Sequence, residues 1–143
     1  LLIGDGILKN RLLSEISNLD LNNKVLLSGW TNNTLKYIKN AKLFVFTSLY
    51  EGLGNVLIDA INYDVPCIST NCKSGPKEIL LNGKGGTLSK NNDVYDLSQK
   101  MIYCIKNYSL AKKKNNISKK HLKRFLMNDR SKDYQKLLIK YIN

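Results

Sequence analysis

Long apolar runs are missing from this 143-residue chain. None approaches the roughly 18–20 residues that a membrane-spanning helix needs, so no segment reads as a span. The opening, "LLIGDG", has no basic stretch ahead of an apolar one and does not read as a secretory signal. It also lacks methionine and begins inside a predicted strand, so a fragment or an excised domain is expected. Cysteine is scarce. Cys67, Cys72 and Cys104 make an odd count with no framework spacing, which fits a reducing compartment, and the cytoplasm is expected. There is no C-x-x-C pair, and the single histidine, His121, stands in a basic helical stretch, which argues against zinc. His121 reads as a surface residue. No internal repeat is present.

Acidic residues are rare in one part only. Residues 1–99 carry 10 basic and 9 acidic side chains, whereas residues 100–143 carry 13 basic and 2 acidic. The net charge of +12 therefore sits almost entirely in the tail. Such a block suits nucleic acid, an anionic membrane surface, or plain solvation.

What is present is an alternation of strands and helices. "LLI" (1–3) reads as a buried strand and "GDG" as a turn. Residues 7–17 place Ile7, Leu8, Leu12 and Ile16 at helical spacing. "KVLLSG" (24–29) is a second strand and 34–41 a short helix. "KLFVFTS" (42–48), with its apolar run Leu43–Phe46, reads as a strand at the centre of a parallel sheet. A helix over 54–63, a strand over 65–70 and a Pro-initiated helix over 75–81 follow. A strand at 85–89 comes next. The remainder reads as helices broken near Asn107–Tyr108 and Asn128–Asp129. Strands alternating with helices over short loops predict an α/β fold, a Rossmann-like parallel sheet flanked by helices, with ligands at the carboxyl ends of the strands. Residues 1–105 form the predicted nucleotide-binding lobe, and 106–143 a basic helical segment packing on it.

The chemistry concentrates in "SLYEGLGNVLIDA", residues 48–60. Glu51 lies in the loop at the carboxyl edge of the sheet. Gly52 and Gly54 let the backbone turn tightly and approach a ligand. A helix begins near Gly54–Asn55, and its unpaired N–H groups and dipole favour an anion such as phosphate. Asn55, Asp59 and Asn62 fall at i, i+4 and i+7, one polar stripe. Val56, Leu57, Ala60 and Ile61 cover the other sides. Carboxylates bind sugar hydroxyls by charge-assisted hydrogen bonds. A nucleotide-diphosphate sugar fits, with its sugar toward Glu51 and its ribose toward Asp59. On these residues alone, a solvated loop acid and a wet helix face remain open, because glycine-rich strand-to-helix turns are common.

The segment "FVFTSLYEGLGNVLIDAINYDVPCISTNCKSGPKEIL" (44–80) resembles the donor-nucleotide half of family 4 retaining glycosyltransferases. Their signature is a glutamate, seven residues and a second glutamate inside S-x-x-E-G-F/L-G-x-x-x-x-E-A-x-x-x-G-x-P-V. Ser48, Glu51, Gly52, Leu53, Gly54, Ala60 and Pro66 match it. "SGPKEIL" is similar to the family's G-P-x-E-I, "LLIGDGILKNRL" to its G-x-G-P-L turn, and "KVLLSGW" to its V-x-F-x-G strand and loop. Two positions depart: Asp59 replaces the second glutamate, and Asp64 stands where the family has glycine. The family's diphosphate-clamping Arg and Lys fall before Leu1, and its acceptor lobe is absent.

The resemblance implies one lobe of a two-lobed GT-B enzyme of polysaccharide assembly, inactive alone. It would retain anomeric configuration while transferring a sugar from a UDP-sugar to a glycan or lipid-linked acceptor. Glu51 is the implied catalytic acid at the donor-sugar hydroxyls. Gly52, Leu53, Gly54 and Asn55 would offer N–H groups to the sugar and β-phosphate, and Asp59 would meet the ribose. Gly29, Trp30 and Thr31 match the loop bordering the base, where Trp30 either stacks on the base or belongs to the core. Catalysis would rest on stabilising the leaving diphosphate. No D-x-D motif occurs, and no metal or other cofactor is expected. The alternative is a module that holds a nucleotide without catalysis.

Other features are weaker. "GDGILK" is similar to the dinucleotide fingerprint, but Lys9 replaces its third glycine. Glu78 either stabilises the N-terminus of its helix or joins the site. Cys72 reads as a bystander thiol near the cleft. For the tail, nucleic acid is not expected as a partner, since no RNA-binding motif accompanies a neutral globular part. A solvated helical face and peripheral attraction to the anionic inner face of a membrane remain. Ile102, Ile105, Leu122, Phe125, Leu126, Leu137, Leu138 and Ile142 are apolar at near-helical spacing and are predicted to form faces buried against the lobe, or against the missing lobe. Replacing Lys112, Lys113, Lys114, Lys119 and Lys120 with glutamine is expected to abolish membrane attraction without unfolding the domain.

Overall fold

The computed structural model describes the backbone of residues 1–125 and 127–142 and the side chains of 1–125 and 131–142. Leu126, assigned above to a buried face, lies outside the described residues. Contacts divide the chain into two units, Leu1–Tyr37 and the residues from Ile38 onward.

In the first unit, Leu2 and Leu27 form a single parallel bridge. The Leu2 N–H donates to the Leu26 carbonyl (2.8 Å), and the Ser28 N–H to that of Leu2 (3.0 Å). Helix α1 (Lys9–Asn18) follows. The predicted buried strand at 1–3 is exposed instead, Leu1 to 55%. Its ladder is one bridge wide, and α1 buries only Ile16. The helix also starts later than the apolar spacing suggests, leaving Ile7 and Leu8 ahead of it. The Asp5 carboxylate turns the chain there, accepting from the Gly6 N–H (2.8 Å) and Lys9 Nζ (3.3 Å). Helix α2 (Leu35–Ile38) is a single turn.

The second unit holds a parallel three-stranded sheet in the order β1 (Phe44–Phe46), β2 (Cys67–Thr70), β3 (Thr87–Ser89). Val45 pairs with Ile68, and Ser69 with Leu88. The apolar run predicted for the sheet centre is therefore an edge strand of this sheet, with half-buried residues. The centre is β2, all four of whose residues are buried. Being apolar did not distinguish the two, because both are covered by helices. Side chains alternate across β2: Cys67 joins a cluster with Leu57, Ala60, Ile61, Ile79 and Leu80, and Ile68 joins Cys104 and Ala111. Burial pushes the Cys67 thiol up, so it stays protonated and unreactive.

Helix α3 (Asn55–Asn62) connects β1 to β2. Helix α4 (Pro76–Ile79) begins the connection from β2 to β3, with Pro76 in its first turn. The helix predicted over 75–81 stops at Ile79 because Leu81, Asn82 and Gly83 take left-handed φ values of 53°, 54° and 88°. Helix α5 (Val94–Lys106) is capped by Asp93, whose Oδ1 accepts from the Asp96 N–H (2.8 Å). Helix α6 (Tyr108–His121) follows a break at Asn107, as the sequence predicts. The second predicted break is misplaced. A 3₁₀ turn occupies Leu122–Phe125, where both apolar ends pack on the core, and α7 (Met127–Ile142) runs through 128–129.

The tail's buried face is the predicted one only at Leu122 and Phe125, which pack on the core. Ile102, Ile105, Leu137, Leu138 and Ile142 are exposed, whereas Cys104, Ala111, Asn115 and Ser118 are buried. Close approach explains this choice. A Cβ on Gly85 would lie 1.8 Å from Ser118 Oγ, so only small residues fit where α6 meets the β3 approach. Asn115 Nδ2 donates to the Ile61 carbonyl (3.2 Å) and Ser118 Oγ to that of Ile79 (2.9 Å), reaching backbone near the ends of α3 and α4. Lys112 Nζ donates to the Asp64 carbonyl (2.6 Å), Lys114 Nζ to that of Gly83 (3.2 Å), and Lys119 Nζ pairs with the Asp64 carboxylate (2.7 Å). Three of the five lysines assigned above to a membrane therefore fasten α6 to the lobe. Replacing all five would destabilise it, contrary to that expectation.

Candidate functional site

The predicted site residues of the second unit lie on one continuous element. β1 ends at Phe46, the chain crosses the carboxyl edge of the sheet, and α3 starts at Asn55. Glu51 and Leu53 are half-buried in this loop, and Gly52 is exposed. Gly54 occupies the N-cap position in the left-handed region, φ 88° and ψ 56°, with no side chain capping the helix. A Cβ there would meet the Phe46 ring at 3.3 Å, so Gly54 answers both a backbone and a packing demand. Gly52 has nothing within 4 Å of a notional Cβ and is not among the positive-φ glycines. The left-handed turn is at Gly54, while Gly52 lies in a bend with open space around it.

On α3, Leu57, Ala60 and Ile61 are buried, Asn55 and Asn62 are exposed, and Asp59 is half-buried. Asp59 stands four residues after Asn55, about 6 Å along the helix from its start. Among the described residues, no hydrogen bond or ion pair engages the side chain of Glu51 or of Asp59. Two carboxylates thus stand along a helix start whose first N–H groups are uncapped. That arrangement can hold an anion at the helix start and accept hydrogen bonds from hydroxyls beside it.

The end of β2 and the loop that follows it brace the loop after β1. Thr70 Oγ1 donates to the Ser48 carbonyl and Ser74 Oγ to the Glu51 carbonyl. Gly75, with φ 79° and ψ −83°, lies directly against Leu53: a Cβ would sit 2.3 Å from the Leu53 carbonyl oxygen. Sequence reasoning missed Thr70 and Ser74, and took Gly75 as a helix start within the family-like G-P-x-E-I segment but not as a contact of Leu53. The available signal was a Ser-Gly-Pro turn immediately following a strand. An open cleft of about 250 Å³ continues along the same edge, lined by Thr47, Leu49, Thr70, Lys90, Asn92 and Asp93 with two apolar residues of α5.

Gly29, Trp30 and Thr31 belong to the first unit. Gly29 has φ 71°, and its carbonyl accepts from the Gly4 N–H (2.9 Å). Trp30 is 72% exposed, which removes the core reading of that residue. Thr31 Oγ1 accepts from the Asn33 N–H (3.1 Å). Glu78 lies in the first turn of α4, and Cys72 is buried with its thiol 3.6 Å from the Ser74 carbonyl. Among the described residues, no three His, Cys, Asp or Glu side chains converge as a metal site would require.

Residues 1–124 match the family described as glycosyl transferases, group 1. The chain belongs to this family. An uncharacterized glycosyltransferase of Methanocaldococcus jannaschii is 49% identical over 80 residues, 56% of the chain and 20% of the relative. Campylobacter jejuni N-acetylgalactosamine-N,N'-diacetylbacillosaminyl-diphospho-undecaprenol 4-alpha-N-acetylgalactosaminyltransferase is 33% identical over 124 residues, 87% of the chain and 34% of the relative. Among solved structures, a Staphylococcus aureus TarM mutant in complex with fondaparinux, alpha-GlcNAc-glycerol and UDP superposes with a TM-score of 0.84. It is 26% identical, and the match covers 94% of the chain and 28% of TarM. This glycosyltransferase chain therefore spans between a fifth and about a third of these relatives, and its α/β architecture is that of GT-B glycosyltransferases.

Proposed function

We propose that this chain is the donor-binding lobe of a family 4 retaining glycosyltransferase that uses a UDP-sugar. The observation that carries the reading is the uncapped start of α3 at left-handed Gly54, flanked by Glu51 and Asp59, whose carboxylates have no hydrogen-bond or ion-pair partner among the described residues. In this reading the N–H groups of Gly54 and Asn55 receive the diphosphate, Glu51 accepts from donor-sugar hydroxyls, and Asp59 accepts from the ribose. The leaving diphosphate takes the acceptor's proton, and the chain's part is to hold developing negative charge with fixed dipoles. The UDP preference draws support from the UDP complex of TarM. The acceptor is a glycan or lipid-linked saccharide held by another lobe, and no metal or cofactor takes part. Trp30 and its neighbours Gly29 and Thr31 border the base. Exposed Lys113 and Lys120 draw the enzyme to the anionic cytoplasmic face of a membrane.

A calorimetric panel of UDP, GDP, ADP and their sugars against the full-length protein tests the reading. UDP and a UDP-sugar should bind most tightly. In turnover, Glu51→Gln should lower kcat/KM by roughly tenfold to a few hundredfold, the loss of one hydrogen bond to a charged acceptor. Asp59→Asn should weaken nucleotide binding instead. Wild-type behaviour of both variants would remove these residues from the site.

A further inference from the structure

The Glu51 carboxylate has no hydrogen bond or ion pair among the described residues, so the placement of its backbone decides where it starts from. That backbone is not held by regular structure, because residues 47–54 lie between the end of β1 and the start of α3. It is held by two hydroxyls, one at the end of β2 and one in the crossover that follows. Ser74 Oγ donates to the Glu51 carbonyl itself, and Thr70 Oγ1 donates to the Ser48 carbonyl three residues earlier. Gly75 closes the contact by lying against Leu53 with no room for a side chain. Thr70 is buried at the end of the central strand and Ser74 is exposed. One hydroxyl is thus anchored in the core, and the other reaches the loop from the solvent side.

We propose that Ser74 is a positioning residue for Glu51, and that its hydroxyl sets recognition of the donor's sugar rather than of its nucleotide. The proposal rests on the donor-site reading above. The Ser74 bond fixes the peptide that carries Glu51 and leaves the α3 start at Gly54 to its own constraints, φ 88° and the Phe46 ring. Losing the hydroxyl therefore lets the carboxylate swing without releasing the helix N-terminus that would receive the diphosphate.

The test measures the affinity of the full-length protein for UDP and for a UDP-sugar in Ser74→Ala and Ser74→Thr. Ser74→Ala should bind UDP within twofold of wild type and the UDP-sugar about 3- to 10-fold more weakly, the scale of one neutral hydrogen bond. Ser74→Thr, which keeps the hydroxyl, should restore most of that loss. Melting temperature should change little, since the side chain is exposed. Equal losses for UDP and the UDP-sugar, or no loss for either, would overturn the proposal. Failure of the wild-type protein to bind any nucleotide would instead overturn the donor-site reading beneath it.

Discussion

Three glycines of the site should respond to alanine in a fixed order. At a position whose conformation alanine can adopt, Gly→Ala stabilises by about 0.4–1 kcal/mol, because the unfolded chain loses freedom. Gly52 is such a position: its surroundings are open, and Gly52→Ala should stay within about 0.5 kcal/mol of wild type or slightly above it. Gly54 is left-handed, which costs an L-residue about 1–2 kcal/mol, and the Phe46 ring at 3.3 Å must also give. Gly75 also has a positive φ, 79°, with ψ −83° outside the left-handed helical region, so its backbone cost is no smaller, and it is joined by a collision with Leu53, whose carbonyl oxygen and carbon would lie 2.3 and 2.7 Å from the added Cβ. These are backbone atoms, and no rotamer change relieves them. Gly75→Ala should therefore cost more than about 3 kcal/mol, the range of named severe mechanisms. For a protein of this size, that is a fall in Tm of at least about 6–12 °C. Thermal and urea unfolding followed by circular dichroism would read all three. A Gly75→Ala protein as stable as wild type, or a Gly52→Ala protein as damaged as Gly75→Ala, would refute the reasoning.

Two further outcomes concern charge. Asp96 is held below its ordinary 3.8 by the Lys100 ammonium and the Lys90 N–H, each at 2.7 Å from Oδ2. A depressed carboxyl contributes stability above its unfolded value and loses it as pH falls through the folded one. The Tm gap between wild type and Asp96→Asn should thus be full near neutrality and close below about pH 4, and a gap that persists at pH 2 would contradict the pairing. Lys113→Gln with Lys120→Gln should weaken co-sedimentation with anionic vesicles at low salt while leaving Tm unchanged. Equal binding to neutral vesicles would reduce these lysines to a solvated face.

Legibility in the sequence followed the range of the forces involved. The succession β1, α3, β2, α4, β3 is written locally, by apolar runs, Gly54 before a periodic stretch, and Pro76 opening a turn. The strands came out shorter than predicted, 44–46 instead of 42–48 and 87–89 instead of 85–89. Ladder hydrogen bonds need a partner residue as well as an apolar side chain. The break at Asn107 is local too, since its side chain bonds the Tyr103 carbonyl (3.0 Å) and so competes with the helix. The break predicted at Asn128–Asp129 rested on the same residue types, but the helix continues there. The bracing of Glu51 by Ser74 spans 23 residues, and no periodicity or propensity encodes it. The burial of Asn115 and Ser118 was equally hidden, because their polarity reads as surface until a facing glycine and two carbonyls are known.

The fastening of α6 onto α3 and α4 also sets an order of events during synthesis. Domains form from the N-terminal side as the chain emerges at about 5–20 residues per second. The sheet and both site loops are complete at Ser89, yet the carbonyls of Ile61, Asp64, Glu78 and Ile79 receive side chains from residues 112–124. Until that stretch has left the ribosome, the helices behind the site lack the side-chain bonds that α6 and Arg124 supply. A chain released at Asn107 would carry every residue of the Glu51–Asp59 element and none of the side chains that bind those carbonyls. The site is thus fastened by a helix made after it.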